Sequence, residues 1–496
     1  MDSCPWGFKS PHPHQSQPYA PLPVPPHRVR SPGVQARARL TSPLSVRAPS
    51  AGTTRTPAGS LRALSAPAKL LPLGLPCGDS EVRLLSVKRN IVLFVAAMSL
   101  LSVAGGIFDT TSNNYYSETF NITAEQRGDL ELPREFPGFM VAVVAGVLVF
   151  VAEALVGAIA AALVAAGMLG LALFARRPDQ YANMLCLLVV WSTGTHLLMP
   201  VSQSLALVLA DRSSEGEKLG KLGSVRSAAT VAGCLIVWIC FSALHTSFGV
   251  TFTIGAVAAA LAAAVLLWLG RTMPAGHHGP RATLVLRKRY TLFYVLSVLF
   301  GARKQIFITF GPWVLIRIYG AQPQTIAKLW IVATLLGVLL LPKIGRLIDR
   351  VGERTILMLD GAVMVAVCLT YGFAQDIVPA AAFLLAGCAY VADQFLFGVQ
   401  MARATYLSKI AHERRDISGA LGLSTSIDHA VSIPIAMLGG RLWQLTGSHR
   451  PVFLVAAGVA LLTALASSFI RVGRVERPEL VETPEEARED MRREAL

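Results

Sequence analysis

Ionisable side chains interrupt several long apolar stretches of this sequence, and they are its clearest candidates for chemistry. Arg303 and Lys304 stand side by side in the middle of one such stretch. A charge that deep in a membrane persists only when it is paired or faces water, so it marks a functional site. We predict that one of the two contacts a solute or a carboxylate. The alternative is a structural ion pair with Asp393 or Asp428.

The first apolar stretch carries a candidate proton carrier. Asp109, Asn113 and Tyr116 recur at i, i+4 and i+7, so they share one face if the stretch is helical throughout. The alternative is that the helix ends near Phe108 and these residues belong to a loop. An internal repeat, described below, aligns position 109 with Ile308 inside another apolar stretch and favours the helix.

Charged side chains also open the second apolar stretch. Glu131 and Glu135 are spaced i, i+4 with Arg134 between them. Because residues at this spacing lie on one helix face, they predict a local ion network or a proton site. A solvated helix end is the alternative.

Two later stretches carry further ionisable residues. Asp393 and Gln400 share a helix face at i, i+7, whereas Arg403 approaches the end of its stretch. Asp428 and His429 are adjacent, and a carboxylate beside an imidazole can relay protons because histidine titrates near neutral pH. A structural tether to the stretch of Arg303 or of Asp393 is the alternative.

These residues together predict one site at the membrane midplane. Solute contact is assigned to Arg303, Lys304, Asn113, Arg134, Gln400 and Asp393. Proton coupling is assigned to Asp109, Glu135, Asp428 and His429. The excess of fixed positive charge favours an anionic or zwitterionic solute. No P-loop, GxSxG or HExxH pattern occurs, so the sequence indicates no nucleotide, no hydrolytic enzyme, no cofactor and no metal site.

The composition is that of a helical membrane protein. Hydrophobic residues make up 53% of the 496 residues and charged residues only 15%, against about a quarter in soluble domains. The apolar blocks are roughly 20 residues long, which suits helices crossing a ~30 Å hydrocarbon core and is twice the length of a barrel strand. Twelve spans are predicted, at 90–118, 129–151, 155–175, 181–210, 220–244, 249–270, 290–318, 326–345, 355–374, 377–408, 418–444 and 451–471.

Polar segments flank and divide these spans. The predicted regions are a disordered tail at 1–82, a six-helix bundle at 88–271, a linker at 272–289, a second six-helix bundle at 290–471 and a charged tail at 472–496. The first region is rich in Pro, Ser and Arg; it is a solvated tail or lies upstream of the true start, for which Val82 is a candidate. Lys and Arg concentrate on the linker side, which predicts that this side and both termini are cytoplasmic.

The two halves of the chain repeat each other. A shift of 199 residues places Gly138 on Gly337 and Gly220 on Gly419, and it also aligns the basic residues before spans 1 and 7. One constant shift from span 1 to span 5 indicates two parallel halves of six helices, related by an axis along the membrane normal.

The loop between spans 8 and 9 carries a recognisable motif, GRLIDRVGER. It resembles the loop signature G-x-x-x-D-R-x-G-x-R of the major facilitator superfamily, where the motif more usually lies between spans 2 and 3. The resemblance implies that the loop controls helix packing on the cytoplasmic side during conformational gating. The matching residues are Gly345, Asp349, Arg350, Gly352 and Arg354. Asp349 is expected to cap a helix start and to pair with a basic side chain.

The same resemblance implies a fold and a function. The expected fold is an all-α membrane protein with twelve transmembrane helices arranged as two pseudo-symmetric six-helix bundles, the major facilitator fold. The expected function is secondary active transport of a small-molecule solute across the inner membrane by alternating access, coupled to protons. The protein is expected to act as a monomer in the lipid bilayer, without a nucleic-acid partner. A solute sensor or a lipid-handling protein on the same scaffold is the alternative.

Overall fold

The computed structural model describes residues 77–148, 152–209, 215–273 and 285–471, and these are almost entirely helical. They lie in one compact unit, Leu75–Leu496; the other unit, Met1–Gly74, falls outside the described residues. The helices are α1 (Cys77–Phe120), α2 (Ala124–Asp129), α3 (Glu131–Leu148), α4 (Glu153–Phe174), α5 (Tyr181–Leu209), α6 (Glu215–Ser242), α7 (Phe248–Thr272), α8 (Thr291–Arg317), α9 (Pro323–Val351), α10 (Glu353–Ile377), α11 (Ala382–Leu396), α12 (Met401–Ile410), α13 (Arg414–Thr446) and α14 (Arg450–Ser468).

Most of these helices can cross a membrane. Within the described residues, eleven helical segments are long and apolar enough to do so, with α11 and α12 counted as one. The 18 residues of α3 rise about 27 Å at 1.5 Å per residue, but three charged side chains make α3 more polar than the others. With α3 included, a helix stands at each of the twelve predicted spans. The all-α prediction is therefore confirmed.

Large apolar side chains cover the outside of the helices. Leu384 is 66% exposed, Leu339 64% and Trp268 53%. In water such an array would be unstable, whereas a lipid environment solvates it and leaves the backbone hydrogen bonds inside each helix. The exposed apolar surface therefore agrees with a chain that spans the bilayer many times.

Two boundaries differ from the prediction. α1 begins at Cys77, so residues 77–82 are helical although the prediction placed them in the tail; residues 1–76 and 472–496 lie outside the described residues. Predicted span 10 is divided by a 3₁₀ turn, Phe397–Gln400. At this turn Gly398 lies against the Leu341 side chain of α9, and a Cβ at that position would collide with it. The close approach of α9 therefore coincides with the break in the helix.

The internal repeat appears in the packing. α1 packs against α6 and α7, and α4 packs against α5 and α7; their counterparts behave alike, with α8 against α13 and α14 and α10 against α11 and α14. We call α1–α7 the N bundle and α8–α14 the C bundle. Small residues allow close contact inside a bundle: a Cβ on Gly106 or Gly233 would meet the backbone carbonyl of Thr230 or Val103.

The bundles contact each other mainly along α6, α9 and α13, with smaller contacts of α1 with α8 and α9. α6 packs against α9, and α13 packs against both α2 and α3. The second contact is a close one, because a Cβ on Gly128 would reach the carbonyl oxygen of Ala436, and a Cβ on Gly440 that of Ala124. These glycines let the backbones of α2 and α13 approach.

Polar contacts between the bundles lie towards one end of the molecule, which we call the Asn121 end. Asn114 donates to the carbonyl of Ala321 at 2.8 Å, and Arg317 donates to Ser117 at 3.3 Å and to Asn121 at 3.1 Å. At the opposite end, the linker end, the polar contacts seen among described side chains stay within one bundle, as in the 2.6 Å pair of Lys409 with Glu353. The described structure is closed at the Asn121 end.

Candidate functional site

A row of charged residues lines the face of α2 and α3 that meets the C bundle. Thr123 begins this segment with a reciprocal cap: its Oγ1 accepts from the backbone N–H of Gln126 at 3.2 Å, and the Gln126 side chain accepts from the N–H of Thr123 at 2.9 Å. The cap fixes the helix start. It thereby sets the rotation of the residues that follow on the same face, which are Arg127, Glu131, Arg134 and Glu135.

Two arginines share the carboxylate of Glu131. Arg127 Nη1 donates to Oε1 at 2.6 Å, and Arg134 Nε donates to Oε2 at 2.5 Å. Arg134 Nη2 also lies 2.6 Å from Oε1 of Glu135, and Arg127 Nε donates to Oδ1 of Asn113 at 2.8 Å. Glu131 is 0% exposed and Glu135 3%. The predicted ion network is therefore present, and the alternative of a solvated helix end is wrong.

The same carboxylates bind residues of the C bundle. Thr309 Oγ1 donates to Glu131 Oε1 at 3.1 Å, and Gln305 supports Thr309 with a 2.8 Å hydrogen bond. His429 Nδ1 lies 2.5 Å from Glu135 Oε2. We call this set, with Arg127, Arg134 and Asn113, the interbundle network. Because it joins helices of both bundles, any motion that separates α3 from α13 must break it.

His196 of α5 extends the network. Its ring meets that of His429 edge to face, with the centroids 4.8 Å apart. Its Nδ1 lies 2.9 Å from the carbonyl oxygen of Ser192, and the Ser192 hydroxyl donates to the carbonyl of Arg134. His196 was not among the site residues predicted from the sequence. Its place beside His429 depends on how α5 crosses α3, which periodicity does not reveal.

A second cluster of charges lies inside the C bundle. Arg303 of α8 is buried and forms an ion pair with Asp360 of α10. Arg403 Nη2 lies 3.7 Å from Asp428 Oδ2, and its guanidinium stands 4.3 Å from the centre of the Phe300 ring. The expected partners of Arg303 were Asp393 and Asp428, and both are wrong as direct partners. Asp360 was overlooked, although a lone aspartate in an apolar span was a visible signal.

A small cavity adjoins this second cluster. Arg303, Asp360, Gln400 and Arg403 contribute its polar wall, with Leu296 among its apolar residues. Within the described residues, Oδ1 of Asp360 has no hydrogen-bond partner. The cavity lies within the C bundle rather than between the bundles, so the residues around it move together.

Asp393 and Gln400 lie on either side of the bend between α11 and α12. The 3₁₀ turn has three residues per turn, which rotates Gln400 only slightly from the i, i+7 position, so the shared face stays a prediction. Asp393 is buried and accepts from Gln394 Nε2 at 3.3 Å, whereas Gln400 lines the small cavity. Asp428 tethers α13 to Arg403, as the structural alternative for that residue expected.

Two charged residues near the bundle interface have no direct partner in the part of the chain that the structure describes. Lys304 is half-buried and forms no ion pair or hydrogen bond with a described residue, although it acts electrostatically on Glu135 and Asp428. Asp109 is exposed on α1. Arg134 of the N bundle and Tyr390 of the C bundle are among the groups within its electrostatic reach. α1 continues to Phe120, so the loop alternative for Asp109 is wrong.

The motif at 345–354 lies at the linker end, away from both clusters. α9 ends at Val351, Gly352 adopts a positive φ of 85°, and α10 begins at Glu353. Glycine tolerates this left-handed backbone, which explains its place in the turn. Asp349 is exposed and, among the described residues, neither caps α10 nor pairs with a base. The expectation for Asp349 is therefore wrong, because the buried Glu353 makes the ion pair instead, with Lys409.

The residues at the bundle interface offer several kinds of chemistry. Lys304 offers a positive charge that is not neutralised, Asp109 offers an exposed carboxylate, and the interbundle network offers contacts that can be made and broken. Among the described residues, Glu135, His196 and His429 form a group whose ligand atoms could hold a metal ion. Nothing in this arrangement presents a nucleophile with a paired base.

Sequence comparison assigns the chain to a family of known architecture. Residues 136–433, more than half of the chain, match the Major Facilitator Superfamily. No curated protein matches the chain at a significant level.

Solved structures with a similar fold are transporters. The nucleoside transporter NupG is 15% identical with a TM-score of 0.59, and the match covers 76% of this chain and 98% of that one. A D-xylose-proton symporter is 16% identical with a TM-score of 0.57, covering 77% and 97%. An auto-inhibited POT family peptide transporter is 14% identical with a TM-score of 0.59, covering 79% and 98%. Identities this low show a common fold.

Proposed function

This chain belongs to the Major Facilitator Superfamily and is a multi-pass membrane transporter, and we propose that it carries a small anionic or zwitterionic solute in a proton-coupled cycle. The two bundles rock about a site at their interface, and each side opens in turn. In the described state the bundles meet at the Asn121 end, so that end is closed. The solute would therefore enter from the linker end.

The observation that carries the solute class is the unpaired Lys304. Every other buried cation of the two clusters has an acidic partner: Arg127 and Arg134 bind Glu131, Arg303 binds Asp360, and Arg403 binds Asp428. An unpaired ammonium group inside a membrane protein is costly. A solute carboxylate or phosphate would neutralise it, so we assign Lys304 to solute binding. Arg303 acts as a structural residue instead.

Asp109 is the proposed proton site. Its carboxylate is exposed on α1, within electrostatic reach of Arg134 of the N bundle and of the Tyr390 phenol of the C bundle, and no described base pairs with it. Proton binding would remove an isolated negative charge before the bundles rearrange around it. Glu135, Asp428 and His429 were also candidates for proton coupling; we propose instead that they hold helices together, which their direct partners His429, Arg403 and Glu135 support.

The interbundle network is the proposed gate at the Asn121 end. Opening that end separates α3 from α13, which breaks the contacts of Glu131 with Thr309 and of Glu135 with His429. The motif at 345–354 is the proposed gate at the linker end, where Gly352 permits the sharp reversal between α9 and α10. We place the linker end in the cytoplasm of a monomeric inner-membrane protein, because Lys and Arg concentrate there.

Uptake into proteoliposomes tests the proposal. A thermal-shift screen of small anions, amino acids and neutral metabolites first identifies the solute, since a ligand that binds the native state raises its melting temperature. The parent protein should then accumulate that solute when the inside is made alkaline, and a sensor or lipid-handling protein should not. Asp109→Asn should keep solute exchange but lose accumulation driven by the proton gradient.

Lys304 has a matched control on the neighbouring helix. Lys304→Ala should weaken solute binding on the order of 30-fold or more, because removing one partner of a desolvated charge pair costs about 2 kcal/mol or more. Lys304→Arg keeps the charge and should retain most binding. Lys328→Ala removes an exposed lysine of α9 and should leave binding unchanged. Binding by Lys304→Ala at the parent level would refute the anionic or zwitterionic solute class.

A further inference from the structure

We propose that Glu135, His196 and His429 form a binding site for a divalent transition-metal ion of the Zn²⁺ type, which ties the two bundles together at the closed end. Their potential ligand atoms all lie within 4.8 Å of one another, and all three residues are buried. They come from α3, α5 and α13, so an ion bound there would join two helices of the N bundle to one of the C bundle. Two imidazoles and a carboxylate are a donor set that Zn²⁺ takes in proteins.

Each side chain is already held in an orientation that suits a ligand. His196 Nδ1 lies 2.9 Å from the carbonyl oxygen of Ser192 and 3.0 Å from its hydroxyl; in the tautomer with the proton on Nδ1, Nε2 keeps its lone pair for a metal ion. Oε1 of Glu135 is held by Arg134 at 2.6 Å, which leaves Oε2 directed at His429. Hydrogen bonds from ligand residues to a carbonyl or to a charged partner are typical of metal sites, where they orient the ligands.

The rings of His196 and His429 both pack against the backbone of α3 at Gly138. A Cβ on this residue would lie 2.6 Å from His196 Nε2 and 2.8 Å from His429 Nδ1. Only glycine at position 138 lets both imidazole nitrogen atoms come this close to α3, and any side chain there would displace the rings. This observation is independent of the ligand distances, since it concerns the backbone of α3.

Binding would replace the hydrogen that Glu135 and His429 now share. The ion takes the lone pair of His429 Nδ1 and that of Glu135 Oε2, and the displaced proton leaves to solvent. Zn–N bonds are about 2.0–2.1 Å long, so ligand atoms up to 4.8 Å apart would have to close by about 1.5 Å. Rotation of the three side chains would have to supply this movement, and water would complete the coordination.

Binding of Zn²⁺ to the purified full-length protein, prepared without a polyhistidine tag, tests the site. All versions carry His277→Ala and His278→Ala, because these adjacent linker histidines could bind metal separately. We expect Zn²⁺ to raise the melting temperature and Mg²⁺ to leave it unchanged, because Mg²⁺ prefers oxygen ligands. His196→Ala should lower the Zn²⁺ affinity more than about 10-fold, since even second-shell changes cost this much. His196→Cys supplies another zinc ligand and should retain binding.

The exposed His412 gives a matched control, because His412→Ala removes an imidazole outside the site and should leave Zn²⁺ affinity unchanged. If His196→Ala fails to fold, Glu135→Gln tests the same loss, and Co²⁺ replaces Zn²⁺ so that its visible spectrum reports nitrogen and oxygen ligands. No Zn²⁺ binding by the parent, or equal binding by the parent and by both His196→Ala and Glu135→Gln, would overturn the proposal. Because none of these measurements involves a solute, the outcome is separate from that of the transport proposal.

Discussion

The two charge clusters of this protein differ in what they connect. The interbundle network links α3 to α8 and α13 across the interface, whereas the pair of Arg303 and Asp360 links α8 to α10 within the C bundle. A rocking motion of rigid bundles must break the first and can leave the second intact. Glu135 and Asp360 look alike in sequence, since each is an acid in an apolar span. In our proposal Glu135 stabilises one conformational state, whereas Asp360 stabilises the fold of the C bundle.

Breaking the cluster inside the C bundle should have the largest effect on stability. Arg303→Ala leaves Asp360 buried without a partner, and removing one member of a buried ion pair costs about 3–5 kcal/mol. We expect a marked drop in the melting temperature of the detergent-solubilised protein. The exposed Arg346 gives the control, and Arg346→Ala should change little.

The double variant sharpens the same test. Arg303→Met combined with Asp360→Leu removes both charges and fills the space with apolar groups, which often restores or improves stability. Recovery of most of the lost melting temperature would identify the pair as structural. A double variant less stable than either single variant would contradict this.

Breaking the interbundle network should destabilise the protein less than breaking the pair of Arg303 and Asp360. It should loosen the interface between the bundles more. Glu135→Gln keeps a polar side chain but loses its ionic partners Arg134 and His429, at a cost of about 1–3 kcal/mol. Hydrogen exchange should increase in α2, the start of α3 and the facing part of α13. α10 serves as the internal reference and should exchange as in the parent. A uniform increase over both bundles would show that the network supports the whole fold.

The close contact of α13 with α2 can be opened without touching a charge. A Cβ on Gly440 would lie 2.6 Å from the carbonyl oxygen of Ala124, and such overpacking costs about 1–3 kcal/mol. Gly440→Ala should therefore favour states in which the Asn121 end is open, measured as faster hydrogen exchange in α2. Gly458→Ala in α14 meets nothing within 4 Å and should be neutral or slightly stabilising. Equal exchange in both variants would argue against a tight contact at Gly440.

The smallest effects are expected at the exposed motif of the linker end. Asp349→Ala removes a carboxylate that contacts no described partner, so the melting temperature should change by the equivalent of less than about 0.5 kcal/mol. Glu353→Ala removes the buried partner of Lys409 and should cost more. A larger loss from Asp349→Ala than from Glu353→Ala would restore the role that the sequence motif suggests for Asp349.

The sequence was sufficient for the spans and for the internal repeat, because both depend on local hydropathy. Helices such as α7 and α10 begin and end within a few residues of the predicted bounds. The break between α11 and α12 was not predictable, since isolated polar residues and one glycine, Gly398, do not by themselves interrupt a helix.

Partners across helices were the main failure of sequence reasoning. Arg303 was recognised as buried, but its pairing with Asp360 depends on the depth and rotation of α10 relative to α8. His196 and His429 meet because α5 and α13 cross α3 on adjoining faces. Periodicity along one helix gives a face, whereas contacts between helices need the packing angles that only the folded structure supplies.

Solute uptake by two double variants tests the distinction between the clusters most directly. Arg303→Met with Asp360→Leu neutralises the cluster inside the C bundle, and Glu135→Gln with His429→Gln neutralises the contact across the interface. Each is measured in proteoliposomes with the solute identified by thermal shift, beside its own single variants. We predict that uptake returns towards the parent rate in the first double variant and stays impaired in the second. Recovery in the second without recovery in the first would contradict the assignment of the interface contact to gating and of Arg303 to structure.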